Sequence, residues 1–188
     1  MERKDSNTVN ALLGLLSICP MSGYDIRQVI PFSIGHFWSE SYGQIYPALK
    51  RMTAEGLIAK KTKRDKGKPV RHEYSLTEAG RERLRAWLES PAQRSPIRNE
   101  LLLKLFFGGQ VGTEAKRRHI EAALAAEEKT LQVYEATEQQ LRREQANDPQ
   151  LPYWLMTLNL GRHCSRATIA WCRETLMELD RLAELNRQ

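Results

Sequence analysis

The stretch from Ser39 to Gly80, SESYGQIYPALKRMTAEGLIAKKTKRDKGKPVRHEYSLTEAG, constrains the fold of this 188-residue chain more than any other. It opens with a capping-box pattern, Ser41-x-x-Gln44, whose side chains can satisfy the free donors of a helix start. Ile45, Leu49 and Met52 follow at steps of four and three, which places them on one helix face. Gly56 comes where a helix can end in the left-handed region. Leu57-Ile58-Ala59 begins a strand, and a basic turn holding Gly67 and Pro69 runs from Lys60 to Pro69. Val70 to Leu76 is the return strand, with Val70, His72, Tyr74 and Leu76 on one face. Thr77 caps the next helix.

Helix, strand, basic hairpin, strand and helix, in that order, is the pattern of a winged helix-turn-helix. The residues also resemble a known family, the PadR-like transcriptional regulators, in the longer branch similar to the virulence-gene activator A type. The matching runs are Ser22-Gly23-Tyr24-Asp25-Ile26, Phe37-Trp38, Gly43 to Met52, Glu55-Gly56-Leu57-Ile58 and Tyr74 to Gly80. A softer match, Asn99 to Gly108, opens the second half. The resemblance implies a sequence-specific regulator of double-stranded DNA that acts as a homodimer on a pseudo-palindromic operator. Repression is its commoner implication, and activation without a ligand is the alternative. Some members are implied to bind small planar aromatic ligands near the dimer interface, although the virulence-activator type does not require one.

Charge agrees with a polyanionic partner for one half only. Residues 1–90 carry 15 Lys+Arg against 10 Asp+Glu, whereas residues 91–188 carry 14 against 13. Three cysteines, Cys19, Cys164 and Cys172, are too few and too oddly spaced for a disulfide framework or a zinc knot, and they suit a reducing cytoplasm. Val9 to Cys19 is apolar but short, and Pro20-Met21-Ser22-Gly23 reads as a turn rather than a cleavage site. No stretch approaches the ~20 apolar residues a membrane span needs. Neither a cofactor nor a metal is expected.

The expected fold is mainly α with a small β-hairpin. Residues 1–92 form an N-terminal winged helix-turn-helix, and residues 97–188 form a C-terminal long antiparallel helical hairpin for dimerisation. Within the first domain, a helix over Asn7 to Cys19 buries Val9, Leu12, Leu13, Leu16 and Cys19, after a frayed start. A second helix, capped by Ser22, packs through Tyr24, Ile26, Val29 and Ile30 and stops at Pro31. Phe37 and Trp38 pack between elements. The fourth helix turns Ala79, Leu84, Trp87 and Leu88 inward. Ser90 to Pro96, with two prolines, is the boundary.

The third helix is the candidate recognition helix. Opposite Ile45, Leu49 and Met52 it offers Tyr42, Gly43, Gln44, Tyr46, Pro47, Lys50 and Arg51. Gln pairs bidentately with adenine, and Lys or Arg with guanine or phosphate. Gly43 lets backbone approach a phosphate. Pro47 lacks an N–H and clashes with the carbonyl of Gly43, so a distorted or late-starting first turn is expected. Tyr46 is either a phosphate donor or a packing tyrosine with a surface hydroxyl. The wing adds Lys63, Arg64, Lys66, Lys68 and Arg71, which would position the protein on phosphates rather than read bases.

In the second half a helix over Arg98 to Phe107 precedes a long helix from Thr113 to about Ala146. Ile120, Leu124, Leu131, Tyr134 and Leu141 follow steps of four and three, with Glu127 and Glu138 at the missing stations. Residues 147–152 break it. The last helix, Tyr153 to about Asn186, carries the stripe Leu158, Gly161, Ser165, Ile169, Cys172, Leu176, Leu179 and Ala183, a coiled-coil-like seam. Trp154, Leu160, Ala167, Trp171, Leu182 and Leu185 lie off it and call for a second copy of the chain. The expected dimer interface is Trp154, Leu158, Ile169, Trp171, Leu176, Leu179 and Leu182. Trp154 and Trp171 could line an effector pocket, or simply pack.

Two other classes fit less well. No phosphate-binding loop, nucleophile elbow or metal-ligand spacing is present, and His163 and Cys164, as neighbours, point to different helix sides, which argues against an enzyme. A winged helix used only for protein contacts would have no need of seven cations between Lys60 and Arg71.

Overall fold

The computed structural model describes residues 2–35, 37–38, 42–63, 71–93 and 98–185, with only the backbone at residues 2–6, 32 and 42. The chain divides into two units, residues 1–94 and 95–188.

The first unit holds α1 (Glu2–Ile18), β1 (Met21–Ser22), α2 (Gly23–Val29), α3 (Tyr42–Ala54), β2 (Ile58–Lys63), β3 (Arg71–Leu76) and α4 (Glu78–Glu89). Val9, Leu12, Leu13 and Leu16 of α1 meet Ile26, Ile45, Leu49, Met52, Ile58 and Leu76 in one buried cluster. Burying each such side chain fully is worth about 1.5–3 kcal/mol. The helix begins at Glu2, with no frayed start, and Cys19 is exposed just beyond its end.

Three local devices set the turns. Ser22 caps α2 in a reciprocal box: the Asp25 N–H donates to the Ser22 hydroxyl at 3.1 Å, and the Ser22 N–H donates to the Asp25 carboxylate at 3.0 Å. The Ser22 hydroxyl in turn donates to that carboxylate at 2.7 Å, and this bond, followed by the one from the Ser22 backbone, holds the Asp25 carboxyl below its usual range. At the end of α3, Gly56 has φ 71°, and the N–H groups of Leu57 and Gly56 donate to the carbonyls of Met52 (2.9 Å) and Thr53 (3.2 Å). This is a Schellman stop with Leu57 and Met52 as its buried hydrophobic contact. Thr77 then joins α4 to that stop. Its hydroxyl accepts from the Gly80 N–H at 3.1 Å and donates to the carbonyls of Gly56 and Leu57 at 2.7 and 2.8 Å. A Cβ on Gly80 would lie 2.1 Å from the Leu57 carbonyl oxygen, so only glycine allows α4 this close.

The sheet has three antiparallel strands in the order β1-β3-β2, one more than the expected hairpin. Met21 pairs with Tyr74 and Ser22 with Glu73, where a turn was expected. Two residues are too few to show an alternation, yet they satisfy backbone groups on the outer edge of β3. Strand β2 also runs on to Lys63, so Lys60 to Lys63 belong to a strand rather than a turn.

Several expected core residues lie outside. Tyr24 and Phe37 are more than half exposed, and Trp87 and Leu88 of α4 are exposed too, as is Ala79. On α4 only Gly80 and Leu84, one turn apart, reach the core. The later turn extends past it.

The second unit holds α5 (Glu100–Phe106), α6 (Thr113–Glu144) and α7 (Leu151–Leu185). Asn99 caps α5, its side chain accepting from the Leu102 N–H at 3.1 Å. The break between α6 and α7 covers residues 145–150 and so lies two residues earlier than expected, with Pro152 in the first turn of α7, where no N–H is needed. Ile120 of α6 and Cys172 and Leu179 of α7 form a buried cluster, with Leu101 and Leu105 of α5, Leu124, Trp171 and Leu176 packed on it. The seam residues Leu158, Ser165, Ile169, Cys172 and Leu179 are all buried. Glu127, at a missing apolar station, accepts from the Ser165 hydroxyl at 2.8 Å. Glu138, at the other, pairs with Arg162. Gly161 makes room for Tyr134, since a Cβ there would lie 2.7 Å from the ring. Arg117–Asp180, Arg173–Glu128 and Arg166–Glu135 continue the antiparallel register along the outside.

Candidate nucleic-acid interface

At about 100° per residue, the core stripe Ile45–Leu49–Met52 leaves Gly43, Pro47 and Lys50 on the opposite side of α3. Gly43, Tyr46, Pro47, Lys50 and Arg51 are exposed. The helix starts at Tyr42 and runs through Pro47, so it is not late-starting. Pro47 leaves the Gly43 carbonyl without its helical donor, and exposure lets water satisfy it.

Gln44 departs from expectation. It is half-buried, and its side-chain oxygen is covered and has no hydrogen-bond partner among the described residues. One residue before Ile45, it flanks the core stripe instead of opposing it. Bidentate pairing with adenine requires that oxygen to be available, so Gln44 in this rotamer cannot make it. The Tyr42 side chain and Ser41 lie outside the described residues.

Tyr46 lies against the first turn of α2. Its ring occupies the space that a Cβ on Gly23 would fill, 2.6 Å from that ideal position, while more than half of the side chain stays exposed. Tyr74 of β3 is near enough that its phenol is raised, mainly by burial and secondarily by Tyr46. Arg51 is within 3.9 Å of Glu55 in an exposed pair of little energetic weight.

On the wing, Lys63 is exposed and pairs with Glu73 across β2 and β3. Arg71 is exposed, with its guanidinium 6.0 Å from the centroid of the Tyr24 ring. Arg64, Lys66 and Lys68 lie outside the described residues. Sequence reasoning left out Lys60 and Lys61, which stand exposed on β2, and Tyr24, which stands exposed under Arg71. The unbroken start of the cation run at Lys60 was the sequence signal for the two lysines.

In the second unit, Leu158, Ile169 and Leu179 were expected at a dimer interface. Their own chain already covers each of them to 6% exposure, so they hold α6 to α7 and offer no surface. Leu176 and Trp171 pack on the Ile120–Cys172–Leu179 cluster. Trp154 is half-buried, and Leu182 is exposed. Trp154 and Trp171 stand roughly 25 Å apart along α7 at 1.5 Å per residue, so one chain cannot bring both to one small pocket. Larger exposed apolar residues cluster on α5 at Leu102, Leu103, Phe106 and Phe107.

Among the described residues, no group of three or more His, Cys, Asp or Glu could hold a metal ion, and no helix is long and apolar enough to cross a membrane. Residues 12–86 match the PadR-like transcriptional regulator family, and residues 97–180 match the virulence activator alpha C-terminal domain. The chain thus joins a PadR-like regulator domain to a virulence activator alpha C-terminal domain. The negative transcriptional regulator PadR of Bacillus subtilis (strain 168) is 38% identical over 99 residues, or 52% of this chain and 54% of that protein. That alignment therefore spans about half of the relative's length. The structure of Bacillus subtilis PadR in complex with operator DNA aligns over 91% of this chain and 98% of its own, with 26% identity and a TM-score of 0.80. The same regulator in complex with p-coumaric acid aligns over 91% and 97%, at 26% identity and 0.74. The Vibrio cholerae virulence activator AphA aligns over 93% and 99%, with 27% identity and a TM-score of 0.73. The fold of this chain is thus a winged helix followed by long C-terminal helices. The family and these neighbours are transcriptional regulators, not enzymes.

Proposed function

We propose that this PadR-family chain is a sequence-specific repressor that binds a pseudo-palindromic operator as a homodimer in the cytoplasm. The observation that carries the reading is the coincidence of two surfaces on the first unit. The outer side of α3 exposes Gly43, Tyr46, Pro47, Lys50 and Arg51, β2, which packs against α3, exposes Lys60, Lys61 and Lys63, and β3 beside β2 exposes Arg71. A helix held by its apolar stripe can enter a major groove while strand cations meet phosphates. The operator complex of the Bacillus relative supports this use of the fold, and the word "negative" in that relative's name supports repression. Lys50 is the base-reading candidate, since Gln44 is turned inward. Arg64, Lys66 and Lys68 extend the wing's cationic surface in sequence.

The second unit supplies the dimer. Leu102, Leu103, Phe106 and Phe107 of α5 and Leu160, Leu182 and Leu185 of α7 leave apolar surface that a second copy would cover. A small aromatic ligand modulates binding in this reading, supported by the p-coumaric acid complex of the relative. Because Trp154 and Trp171 are far apart in one chain, they could share a ligand only across two chains.

The test is selection of bound DNA from a random pool. The expected outcome is an inverted repeat whose half-sites lie about one helical turn, roughly 34–36 Å, apart or a multiple of it. Absence of any enriched sequence would overturn the reading, and a lone half-site would overturn the dimer.

A further inference from the structure

We propose that Gly23, at the start of α2, is the positioning residue for a DNA contact made by the Tyr46 hydroxyl on α3. The proposal rests on the DNA-binding reading above and deepens it.

Gly23 is buried and forms the floor of a notch occupied by the Tyr46 ring. An ideal Cβ on Gly23 would sit 2.6 Å from Cε1, 3.2 Å from Cζ and 3.3 Å from Cδ1 of that ring. Real Cβ atoms do not approach carbon so closely, so any side chain at position 23 must displace the ring. The floor itself cannot yield. Ser22 is fixed twice, by its reciprocal hydrogen bonds with Asp25 and by its pairing with Glu73 of β3. The ring of Tyr46 is thereby seated against the start of α2, while more than half of the residue faces solvent.

Such a placement serves recognition. A tyrosine free on a helix surface would lose rotamer freedom on meeting a phosphate, and a pre-seated ring has already lost it. A phenol hydroxyl is an ordinary phosphate donor, and it carries no charge. Its loss should therefore lower affinity without changing the number of counterions released.

The experiment is a double-mutant cycle on the full chain with Gly23→Ala and Tyr46→Phe, read by DNA affinity at several salt concentrations. Tyr46→Phe keeps the ring seated and removes only the hydroxyl, and it should weaken binding about five- to ten-fold at an unchanged salt slope. Gly23→Ala should weaken binding to a similar degree and cost nothing more in the Tyr46→Phe background. A nuclear Overhauser contact between the Gly23 α-protons and the Tyr46 ring is expected in the parent chain whether or not DNA is present. Additive effects, an unaffected Tyr46→Phe variant or a missing contact would each overturn the role of Gly23. Failure of the parent chain to bind any DNA would overturn the functional reading as well, which separates the two failures. Should Gly23→Ala fail to fold, the Tyr46→Phe affinity and the parent's ring contact still decide the matter.

Discussion

The two units are held together by different physics. Every element of the first contributes to one apolar cluster, and short caps at Ser22, Gly56 and Thr77 fix its corners. The second buries one seam, Ile120 and Tyr134 of α6 with Leu158, Ile169, Cys172 and Leu179 of α7, and adds to it the Glu127–Ser165 hydrogen bond, the Gly161 notch and ion pairs between α6 and α7. The exposed ones among these pairs, Arg173–Glu128 and Arg166–Glu135, contribute about 0–1 kcal/mol each. Their use is to set register: a slip of the hairpin would strand Glu138 from Arg162 and drive Tyr134 into a side chain at the next turn. The difference teaches that the first unit is stabilised by what it buries, whereas the second is aligned by polar contacts and leaves apolar surface outside. That apolar surface is what the proposed second copy would cover.

The comparison can be broken in several places. The largest effect is expected from Leu49→Ala, which empties a fully buried site in the first unit and should destabilise it by about 2–5 kcal/mol in urea melts. An effect below about 1 kcal/mol would mean the cluster is not the main support. Phe106→Asp, at an 82% exposed site on α5, should leave the helical content of the chain intact and weaken its self-association by about 2 kcal/mol or more. Unchanged association would remove α5 from the interface. Gly161→Ala should cost about 1–3 kcal/mol by pushing Tyr134 out of its notch, and circular dichroism melts would show it. The smallest effect belongs to the Ser22 cap. Asp25 is depressed in the folded chain, so the stability it adds is present above the ordinary carboxylate value and is lost as pH falls through the folded value. Asp25→Asn should therefore cost about 0.5–2 kcal/mol at neutral pH, with the gap to the parent closing in acid.

Much of this division was legible in the sequence. The stripe Ile45–Leu49–Met52, the glycine stop at Gly56 and the seam from Leu158 to Leu179 all follow from helical period, because burial there is decided by neighbours three and four residues away. What the sequence did not disclose depends on distant partners. Strand β1 exists because β3 has an edge to satisfy, which no property of Met21 or Ser22 announces. Phe37, Tyr24 and Trp87 are large and apolar in part, yet the core closes without them. Gln44 sits at the border of two faces, where one residue's rotation decides whether its amide points inward. Trp154 and Trp171 invited a common pocket through their chemistry, and the length of α7 denies it within one chain.

The central claim, that the second unit is incomplete alone, is tested most directly by sedimentation equilibrium of the full chain at micromolar concentration. The account predicts the mass of two chains of 21.7 kDa each. A single species at the mass of one chain would contradict it.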